Sequence, residues 1–507
     1  MRDAFAQLPA LAAQHLLLSA AALALALLIG LPLGILVARR PRLRGVALAV
    51  AGLIQTIPGL ALLALFYPLL LALSDLVGGG IPALGFLPAL LALTLYALLP
   101  ILRNLIAGLT TIDPAILEAA DGLGMTRGQK LRLVEAPLAA PVAMAGIRTA
   151  AVWTIGAATL ATTVGQPSLG NLIFSGLQTE TWDLVLAGCI GAAGLAIAAD
   201  LLLGAVEQGI ARRRPLRALV AGGIALAAVL SALVATLAPS RPAITVGAKN
   251  FSEQYILARL IGRRLEAAGM AVRYDEGLGS SVALSALERG DVAVYVDYAG
   301  TIWANAMRRT DAPPRATMIA EIDRWLAARQ GARVLALLGF ENAYALAMRR
   351  ADAQRLGIRS IADLTAAAPR LRLAADLEFL DRPEWAALAK AYRLRFASAK
   401  AYSPTFMYRA LQSGQADVIA AFSSDGRIAA QDLVVLSDPA QAIPGYDALL
   451  LISGAHARDA PLRAALLPLK GAIDVARMRE ANYRVDRDRD KQTPDQAATW
   501  LAGQIER

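Results

Sequence analysis

A chain of 507 residues, 57% of them hydrophobic and with a mean hydropathy of +0.50, is too apolar to be a single water-soluble globule. The formal net charge of +10 would suit a nucleic-acid-binding protein, but membrane proteins also gather Lys and Arg in their cytoplasmic loops, so the positions of these charges decide between the two classes. The single cysteine, Cys189, excludes an intramolecular disulfide, and the distant histidines His15 and His456 predict no metal site.

Apolar stretches of membrane-spanning length follow one another through the first half of the chain. They lie at about 14–37, 45–74, 82–102, 140–164, 184–206 and 217–238. The second is long for one crossing and is interrupted by Gln55, Pro58 and Gly59. This predicts a kinked or broken helix rather than two full crossings, with a re-entrant pair as the alternative. The first half is therefore expected to be an all-α transmembrane helical bundle.

The loops between these spans differ in charge. Basic residues follow the first, third and fifth spans: Arg39, Arg40, Arg42 and Arg44; Arg103, Arg127, Lys130 and Arg132; Arg212, Arg213, Arg214 and Arg217. Loops 75–81 and 165–183 contain neither Lys nor Arg. Alternating crossings place all basic loops on one face, which the positive-inside rule assigns to the cytoplasm. We therefore expect everything after residue 238 to be extracytoplasmic, and no nucleic-acid partner.

The composition changes abruptly after the last span. The stretch "APSRPAITVGAKNF" is a short Pro/Ser linker that leads into a strand, and strand and helix patterns alternate from there to "DVAVYVDY". A second such series begins at "LRLAADLEF" and continues through "FMYRALQSGQADVIAAFSSDG". Two series predict two α/β lobes with a ligand cleft between them, at the carboxyl ends of strands. The expected domains are a transmembrane domain at 1–210, a sixth transmembrane helix and linker at 211–242, and a two-lobed binding domain at 243–507.

A polar loop interrupts the apolar pattern at 118–137, "EAADGLGMTRGQKLRLVEAP". Glu118, Ala119 and Ala120 favour a helix, Gly124 follows four residues after Ala120, and Pro137 is expected to end a second helical segment. Two short helices joined at a glycine are predicted, although any long cytoplasmic loop can fold into such a hairpin.

This loop resembles the EAA loop of bacterial ABC-importer permeases. In that family Glu-Ala-Ala is followed by a glycine and then by an aliphatic residue, leucine and proline; here Val134 is the aliphatic residue, and Ala136 replaces the leucine before Pro137. The resemblance implies a coupling loop, within 103–137, that docks on a separate cytoplasmic ATP-binding subunit, and two permease copies that form the translocation path. The coupling residues it implies are Glu118, Ala119, Ala120 and Gly124. The sequence itself contains no G-x-x-x-x-G-K-[ST] phosphate loop.

In the binding half, the stretch "GAKNFSEQ" at 247–254 predicts the start of a helix. Asn250 is the expected N-cap, with Glu253 three residues later, which leaves the Gln254 side chain free near the cleft edge. Backbone amides at this helix start would suit a ligand carboxylate. A well-capped helix without a binding role is the alternative.

Tyrosines on separate loops are a second candidate feature. "DVAVYVDYAGT" brings Tyr298 and Thr301 to the end of a strand, where alternation places Tyr295 and Tyr298 on opposite faces, one in the core and one in the cleft. Tyr344 stands where the chain is expected to cross between lobes. Three further tyrosines belong to the second series and its return: Tyr402, Tyr408 and Tyr446. Converging tyrosine faces attract a trimethylammonium group, although most tyrosines in an α/β domain simply pack.

Several motifs extend over nearly the whole chain. They are "IQTIPGLALL", "LYALLPILRN" and "AGIRTAAVWTIGAATL" in the first half, and "GAKNFSEQ", "GLGSS", "GDVAVYVDYAGT", "ENAYAL", "ADLEFLDRPEW", "SSDGRI" and "IPGYDALLLI" in the second. Through them the chain resembles the glycine betaine, carnitine and choline uptake family, in which fused permease and binding proteins occur. The resemblance implies ligand contacts from Gln254, Ser281, Tyr298, Thr301, Tyr344, Asp425 and Tyr446. "RPEW" at 382–385 departs from the family's Arg-x-Asp-Gly pattern, and Trp385 is interpreted as packing.

These expectations describe a subunit of an ABC importer in a bacterial inner membrane, with no enzyme activity, cofactor or metal of its own. The ligand would be a quaternary ammonium zwitterion or cation such as glycine betaine, choline or carnitine; ergothioneine is the alternative within the same architecture. An ATP-binding subunit, a second permease copy and membrane lipid are the expected partners. A membrane-anchored signalling receptor would need a cytoplasmic output module, which the sequence does not display. An enzyme is disfavoured because the binding half contains one histidine, His456, and no evident nucleophile–base pair.

Overall fold

The computed structural model describes residues 2–78, 80–179, 181–212, 214–237, 243–309, 311, 313–376, 379–402, 404–440, 442–443, 445–487 and 489–506. The core of the predicted Pro/Ser linker, 238–242, lies outside the described residues. The chain divides into two compact units, one comprising Met1–Phe174 and Trp182–Ser240, the other Ser175–Thr181 and Arg241–Arg507.

Before the linker, the described residues form helices and no strand. These helices are α1 (Arg2–Ala38), α2 (Pro41–Thr56), α3 (Gly59–Leu76), α4 (Phe86–Thr110), α5 (Pro114–Gly122), α6 (Arg127–Lys130), α7 (Ala136–Ala158), α8 (Gly170–Gln178), α9 (Trp182–Ala211) and α10 (Pro215–Leu237). By length and composition, five helical segments are suited to cross a membrane, and α2 with α3 forms a sixth candidate span. The predicted helical bundle is confirmed.

The second span is broken where the sequence predicts it. Helices α2 and α3 meet at a bend of 99°, and Ile57 between them has an extended backbone. A residue that precedes a proline is disfavoured in the helical region, so Pro58 explains why the helix stops at this point. A broken span and a re-entrant pair both have this geometry.

The polar loop forms the predicted pair of short helices, α5 and α6. Asp113 caps α5 by accepting a hydrogen bond from the Ala115 amide (2.9 Å), and Thr126 and Gln129 form a capping box at the start of α6. Gly124 between them has φ +72°, a left-handed conformation that favours glycine. The chain therefore reverses sharply at this residue.

The expectation that Pro137 ends the second helix is wrong. A π-helical turn, Leu131–Glu135, joins α6 to α7, and the helix continues from Arg127 to Val164. In this wider turn the Ala136 amide donates to the Leu131 carbonyl oxygen, five residues back. Because the turn changes the spacing of donors and acceptors just before Pro137, the missing amide and the ring of this proline do not break the helix.

Helix α4 lies at the centre of the bundle, between α1 and α7. Small residues permit the close approach: a Cβ on Gly146 of α7 would lie 2.6 Å from the Pro100 carbonyl oxygen of α4. Arg39, in the turn after α1, forms an ion pair with the buried Glu135 just before α7. This contact brings the basic loops that follow the first and third spans to the same end of the bundle.

The second unit alternates strands and helices, as predicted. Its elements are β1 (Ala243–Lys249), α11 (Ser252–Ala267), β2 (Ala271–Leu278), α12 (Ser280–Arg289), β3 (Val294–Tyr298), α13 (Ala299–Thr301), α14 (Arg315–Ala328), β4 (Arg333–Glu341), β5 (Tyr344–Arg349), α15 (Arg350–Leu356), α16 (Ile361–Ala367), β6 (Arg372–Asp376), α17 (Pro383–Tyr392), β7 (Ser398–Tyr402), α18 (Pro404–Gln412), β8 (Val418–Phe422), α19 (Arg427–Ala430), β9 (Leu433–Val435), β10 (Asp447–Ile452), α20 (Ala460–Leu466), α21 (Val475–Asp486) and α22 (Pro494–Ile505).

The strands form two five-stranded sheets, which confirms the two-lobed fold. The first lobe has strand order β2-β1-β3-β10-β4 and the second β7-β6-β8-β5-β9. In the first lobe β1 pairs in parallel with β2 and β3, whereas β10 runs antiparallel to β3 and β4. The chain crosses to the second lobe between β4 and β5 and returns between β9 and β10. Tyr344 begins β5 and Tyr446 immediately precedes β10, so each crossing carries one candidate tyrosine.

Candidate functional site

A cavity of about 140 Å³ lies between the two lobes of the second unit. Strands β1, β3, β6 and β8 all end at it, and both lobe crossings contribute to its wall. Its lining residues are Lys249, Asn250, Phe251, Ser280, Tyr298, Thr301, Asn342, Tyr344, Asp376, Arg382, Phe422 and Tyr446. The predicted cleft at the carboxyl ends of strands therefore has a physical counterpart.

Four of the residues implied by resemblance line this cavity: Tyr298, Thr301, Tyr344 and Tyr446. Ser281 lines a second cavity of about 180 Å³, which shares Ser280 and Thr301 with the first. Gln254 and Asp425 line neither of these two cavities. We refer to Tyr298, Tyr344 and Tyr446 as the tyrosine cage.

The predicted geometry at the start of α11 is wrong. The N-cap residue is Phe251, not Asn250, and it makes no side-chain capping bond. Gln254 is not free at the cleft edge but 1% exposed; its Nε2 donates to the Tyr298 hydroxyl (3.0 Å). The side chains of Glu253 and Gln254 turn inward because both bond the hydroxyl of Tyr298 behind the cavity.

Strand β3 presents Tyr298 to the cavity and turns Tyr295 away from it, as the alternation predicts. Tyr295 is fully buried and donates its hydroxyl to Asp297 Oδ2 (2.5 Å). The ring of Tyr298 stacks on Phe251, with 6.3 Å between centroids. Tyr298 is thus held from the side by an aromatic neighbour.

The other two members of the tyrosine cage contact each other. Tyr344 and Tyr446 meet edge to face, with centroids 6.0 Å apart and an interplanar angle of 89°. Phe422 packs against Tyr344 at 4.8 Å. A Cβ on Gly300 would lie 2.4 Å from the ring of Tyr446, so only glycine lets that ring take its position.

Two hydroxyls of the tyrosine cage donate to buried carboxylates: Tyr298 donates to Glu253 Oε1 (2.5 Å), and Tyr446 donates to Glu384 Oε1. The charge of the Asp376 carboxylate acts on the Tyr344 hydroxyl. Burial, followed by the charge of these carboxylates, holds the pKa of all three tyrosines well above the usual value, so the hydroxyls remain protonated donors.

The cavity also contains cationic side chains. Lys249 is 3% exposed, pairs with Asp297, and its Nζ lies 5.4 Å from the ring centroid of Tyr298. The Arg382 guanidinium carbon lies 5.3 Å from the ring centroid of Tyr344. A ligand in this cavity would therefore contact tyrosine rings and also positively charged side chains.

The "RPEW" stretch, where the sequence departs from the family pattern, contributes directly to this arrangement. Arg382 lines the cavity, and Glu384 accepts the Tyr446 hydroxyl. Trp385 lies against Phe379 (5.8 Å) and Phe396 (6.1 Å), so the structure agrees with its interpretation as packing.

Comparison with known proteins matches both halves of the chain. Residues 242–503 match the family described as the substrate binding domain of ABC-type glycine betaine transport systems. Residues 30–212 match the binding-protein-dependent transport system inner membrane component. The chain belongs to this ABC-importer family. It is an importer subunit in which permease and substrate-binding domain are fused, and a multi-pass inner-membrane protein; the family implies an ATP-binding subunit as partner.

Individual relatives of the importer subunit differ in how much of it they match. It is 28% identical over 479 residues to the ergothioneine transport permease/ergothioneine binding protein EgtU of Helicobacter pylori (strain G27), covering 91% of this chain and 84% of that protein. It is 40% identical over 195 residues to the choline transport system permease protein OpuBB of Bacillus subtilis (strain 168), covering 38% of this chain and 84% of that protein. It is 44% identical over 196 residues to the carnitine transport permease protein OpuCD of Listeria monocytogenes serotype 1/2a (strain 10403S), covering 38% and 82% respectively.

Asp425 of the importer subunit belongs to a different buried cluster. It forms an ion pair with Arg427 (2.9 Å), whose guanidinium carbon lies 4.3 Å from the ring centroid of Tyr408. Asp486 lies 3.9 Å from Arg427, and burial raises the pKa of Asp486 to about 6. Neither Tyr408 nor Tyr402 lines the main cavity.

Sequence reasoning missed several lining residues of the importer subunit. Lys249, Asp376 and Phe422 each end a strand, which is the signal that identified Tyr298 and could have identified them. Asn342 lies in the crossing between lobes, just before Tyr344. Arg382 carries no comparable signal in its local sequence.

In the coupling loop, Glu118, Ala119 and Gly124 are exposed, whereas Ala120 is 3% exposed. The first three are therefore accessible in this chain, and Ala120 packs within it.

Proposed function

We propose that the importer subunit takes up a small zwitterion with a methylated ammonium group, such as glycine betaine or carnitine, and binds it in the cavity of about 140 Å³. The observation that carries the proposal is the presence of the tyrosine cage together with Lys249 and Arg382 in one cavity. A trimethylammonium group cannot donate a hydrogen bond but is attracted to tyrosine faces. A carboxylate on the same molecule is attracted to the two cations. Choline has the trimethylammonium group but no carboxylate, so only the tyrosine cage would attract it.

Direct ligand contact is proposed for Tyr298, Thr301, Tyr344 and Tyr446. Gln254 acts indirectly by holding the Tyr298 hydroxyl, and Asp425 acts through its ion pair with Arg427 near the lobe crossings. Ser281 contacts the part of a longer ligand that extends into the second cavity.

Ergothioneine is the second candidate, supported by two observations. The relative that matches 91% of this chain is named for ergothioneine. The second cavity, of about 180 Å³, shares Ser280 and Thr301 with the first and is lined in part by Trp325 and Asp297. Such a space suits a polar ring attached to a betaine.

The test is a ligand screen on the purified full-length protein, with unfolding temperature and calorimetric affinity as measurements. We expect stabilisation by glycine betaine, carnitine or ergothioneine, weaker stabilisation by choline, and none by glycine, which lacks the methyl groups. Stabilisation by unmethylated amino acids but by no methylated ammonium compound would overturn the proposal.

We also propose that Glu118, Ala119 and Gly124 form the surface that couples the permease to the ATP-binding subunit, with the buried Ala120 packed beneath it, and that two permease copies pair in the membrane lipid. The basic ends of the spans are proposed to face the cytoplasm. The contact between Arg39 and Glu135, which joins two basic loops at one end, supports this orientation. In this orientation the binding domain, 243–507, lies on the extracytoplasmic side of the membrane. The transmembrane domain is 1–210, and 211–242 contains the sixth transmembrane helix and the linker.

Alkaline phosphatase fused after Arg507 is expected to be active, because α10 begins at the basic loop and carries the chain to the opposite face. The matched control is the same reporter fused after Arg214, before α10, which should be inactive there. Reporter activity after Arg214 and none after Arg507 would show that the protein has the opposite orientation in the membrane.

A further inference from the structure

Two carboxylates behind the tyrosine cage come from separate parts of the fold. Glu253 lies in α11 and is 3% exposed, and Glu384 lies in α17 and is 2% exposed. Glu253 accepts the hydroxyl of Tyr298, and Glu384 accepts the hydroxyl of Tyr446. Asp376, whose charge acts on Tyr344, lines the cavity itself and does not lie behind the cage.

A neutral acceptor would satisfy a tyrosine hydroxyl at lower cost. Burying a carboxylate is expensive unless it is paired, whereas a glutamine or asparagine oxygen accepts the same hydrogen bond without a charge. A carboxylate adds something that an amide does not. It draws the hydroxyl proton towards itself, which increases the electron density of the ring, and its charge acts on the cavity through a medium of low dielectric constant.

The Glu253 carboxylate is bonded to uncharged groups, although Lys249 Nζ lies 5.4 Å from the ring centroid of its partner Tyr298. The hydrogen bonds of Glu253 in the structure are with uncharged groups: the Tyr298 hydroxyl, Asn342 Nδ2 (3.0 Å) and Asn482 Nδ2 (2.8 Å). Asn482 Nδ2 also donates to the Ser424 carbonyl oxygen, which fixes the orientation of that amide. Glu384, in contrast, lies 3.8 Å from the Arg382 guanidinium, so part of its charge is balanced locally.

We propose that Glu253 and Glu384 are specificity-determining residues that act from behind the tyrosine cage. Their negative charge makes the tyrosine faces select an ammonium group over an uncharged group of the same shape. The proposal deepens the function proposed above and rests on it. Neither needs to touch the ligand, because each acts through the ring whose hydroxyl it accepts.

The test uses two ligands that differ in one atom. Glycine betaine and 3,3-dimethylbutanoate have the same shape and the same carboxylate, but the second has a neutral carbon in place of the ammonium nitrogen. The ratio of their dissociation constants on the full-length protein measures selectivity for the cation. Glu253→Gln is expected to reduce this ratio by roughly fivefold to tenfold, since it removes the charge and keeps the hydrogen-bond acceptor.

If Glu253 has a purely structural role, Glu253→Gln will weaken the binding of both ligands equally and leave the ratio of their dissociation constants unchanged. Glu384→Gln is a second test variant on another helix, so the test does not depend on the folding of one variant. A smaller loss of selectivity is expected in Glu384→Gln, because the nearby Arg382 already balances part of the Glu384 charge. The matched control is Asp486→Asn, a buried carboxylate bonded to Ser252 rather than to the cage, which should retain the wild-type ratio.

A double variant examines how the charge acts. In Tyr298→Phe the ring remains but the hydroxyl is lost, so adding Glu253→Gln should change the ratio less than it does in the wild-type background. A wild-type protein that does not prefer glycine betaine over 3,3-dimethylbutanoate would overturn both the proposed function and this inference. A wild-type preference that survives in both Glu253→Gln and Glu384→Gln would overturn the inference alone.

Discussion

Charge reversal at Glu118 is expected to reduce ligand-stimulated ATP hydrolysis by the assembled transporter roughly tenfold or more, because a well-placed interface contact is worth about 1–2 kcal/mol. Ligand affinity should remain unchanged. Glu118 is exposed on α5, a short helix fixed by the Asp113 cap and by the reversal at Gly124. A rigid protrusion of this kind can transmit the movement of a separate subunit only if its surface matches that subunit. The measurement is ATPase activity with and without ligand in reconstituted vesicles.

The matched control is Glu266→Lys, which reverses an exposed charge at the end of α11 in the binding domain and should leave coupling intact. Gly124→Val is a companion variant. A Cβ at Gly124 would meet nothing within 4 Å, so its effect would come from forcing a branched residue to φ +72°, which changes the angle between α5 and α6. If ligand stimulation survives Glu118→Lys and Gly124→Val, the coupling assignment is wrong.

The membrane half illustrates which features hydropathy predicts well. The existence of the spans follows from composition, and the break at Pro58 follows from the backbone restriction that a proline imposes on its neighbour. Helix ends are less predictable: α4 runs from Phe86 to Thr110, past Arg103, and Leu105, Ile106 and Gly108 after this arginine are buried, so a single charge does not mark the end of the helix. The prediction for Pro137 is wrong because a proline usually ends a helix, and the π-helical turn that accommodates it has no evident local signature.

The cavity illustrates the same limit in the binding half. Strand ends and lobe crossings are local signals, and they identified Tyr298 and Tyr344. The sequence around Glu253 fits the pattern of a helix cap, and local pattern alone predicts no other role for this residue. Its actual partners include Asn342 and Asn482, which are 89 and 229 residues away, and only the tertiary fold brings them together.

Replacing Tyr344 by alanine is expected to weaken glycine betaine binding by about tenfold to thirtyfold, the effect of losing roughly 1–2 kcal/mol from one desolvated cation–π face. Tyr344 is 5% exposed and contacts both Phe422 and Tyr446, so its removal also loosens the neighbouring rings of the cavity. Calorimetric affinity measures the first effect, and the unfolding temperature without ligand measures the second.

Two further variants separate these contributions. Tyr344→Phe keeps the ring but loses the hydroxyl on which the charge of Asp376 acts, so its affinity should fall between those of the wild-type protein and Tyr344→Ala. Tyr402→Ala removes a half-buried tyrosine that does not line the cavity and should bind normally. Unchanged affinity in Tyr344→Ala would show that this ring does not contact the ligand. Equal loss in Tyr344→Ala and Tyr402→Ala would mean that destabilisation of the second lobe, rather than cation–π attraction, accounts for the weaker binding.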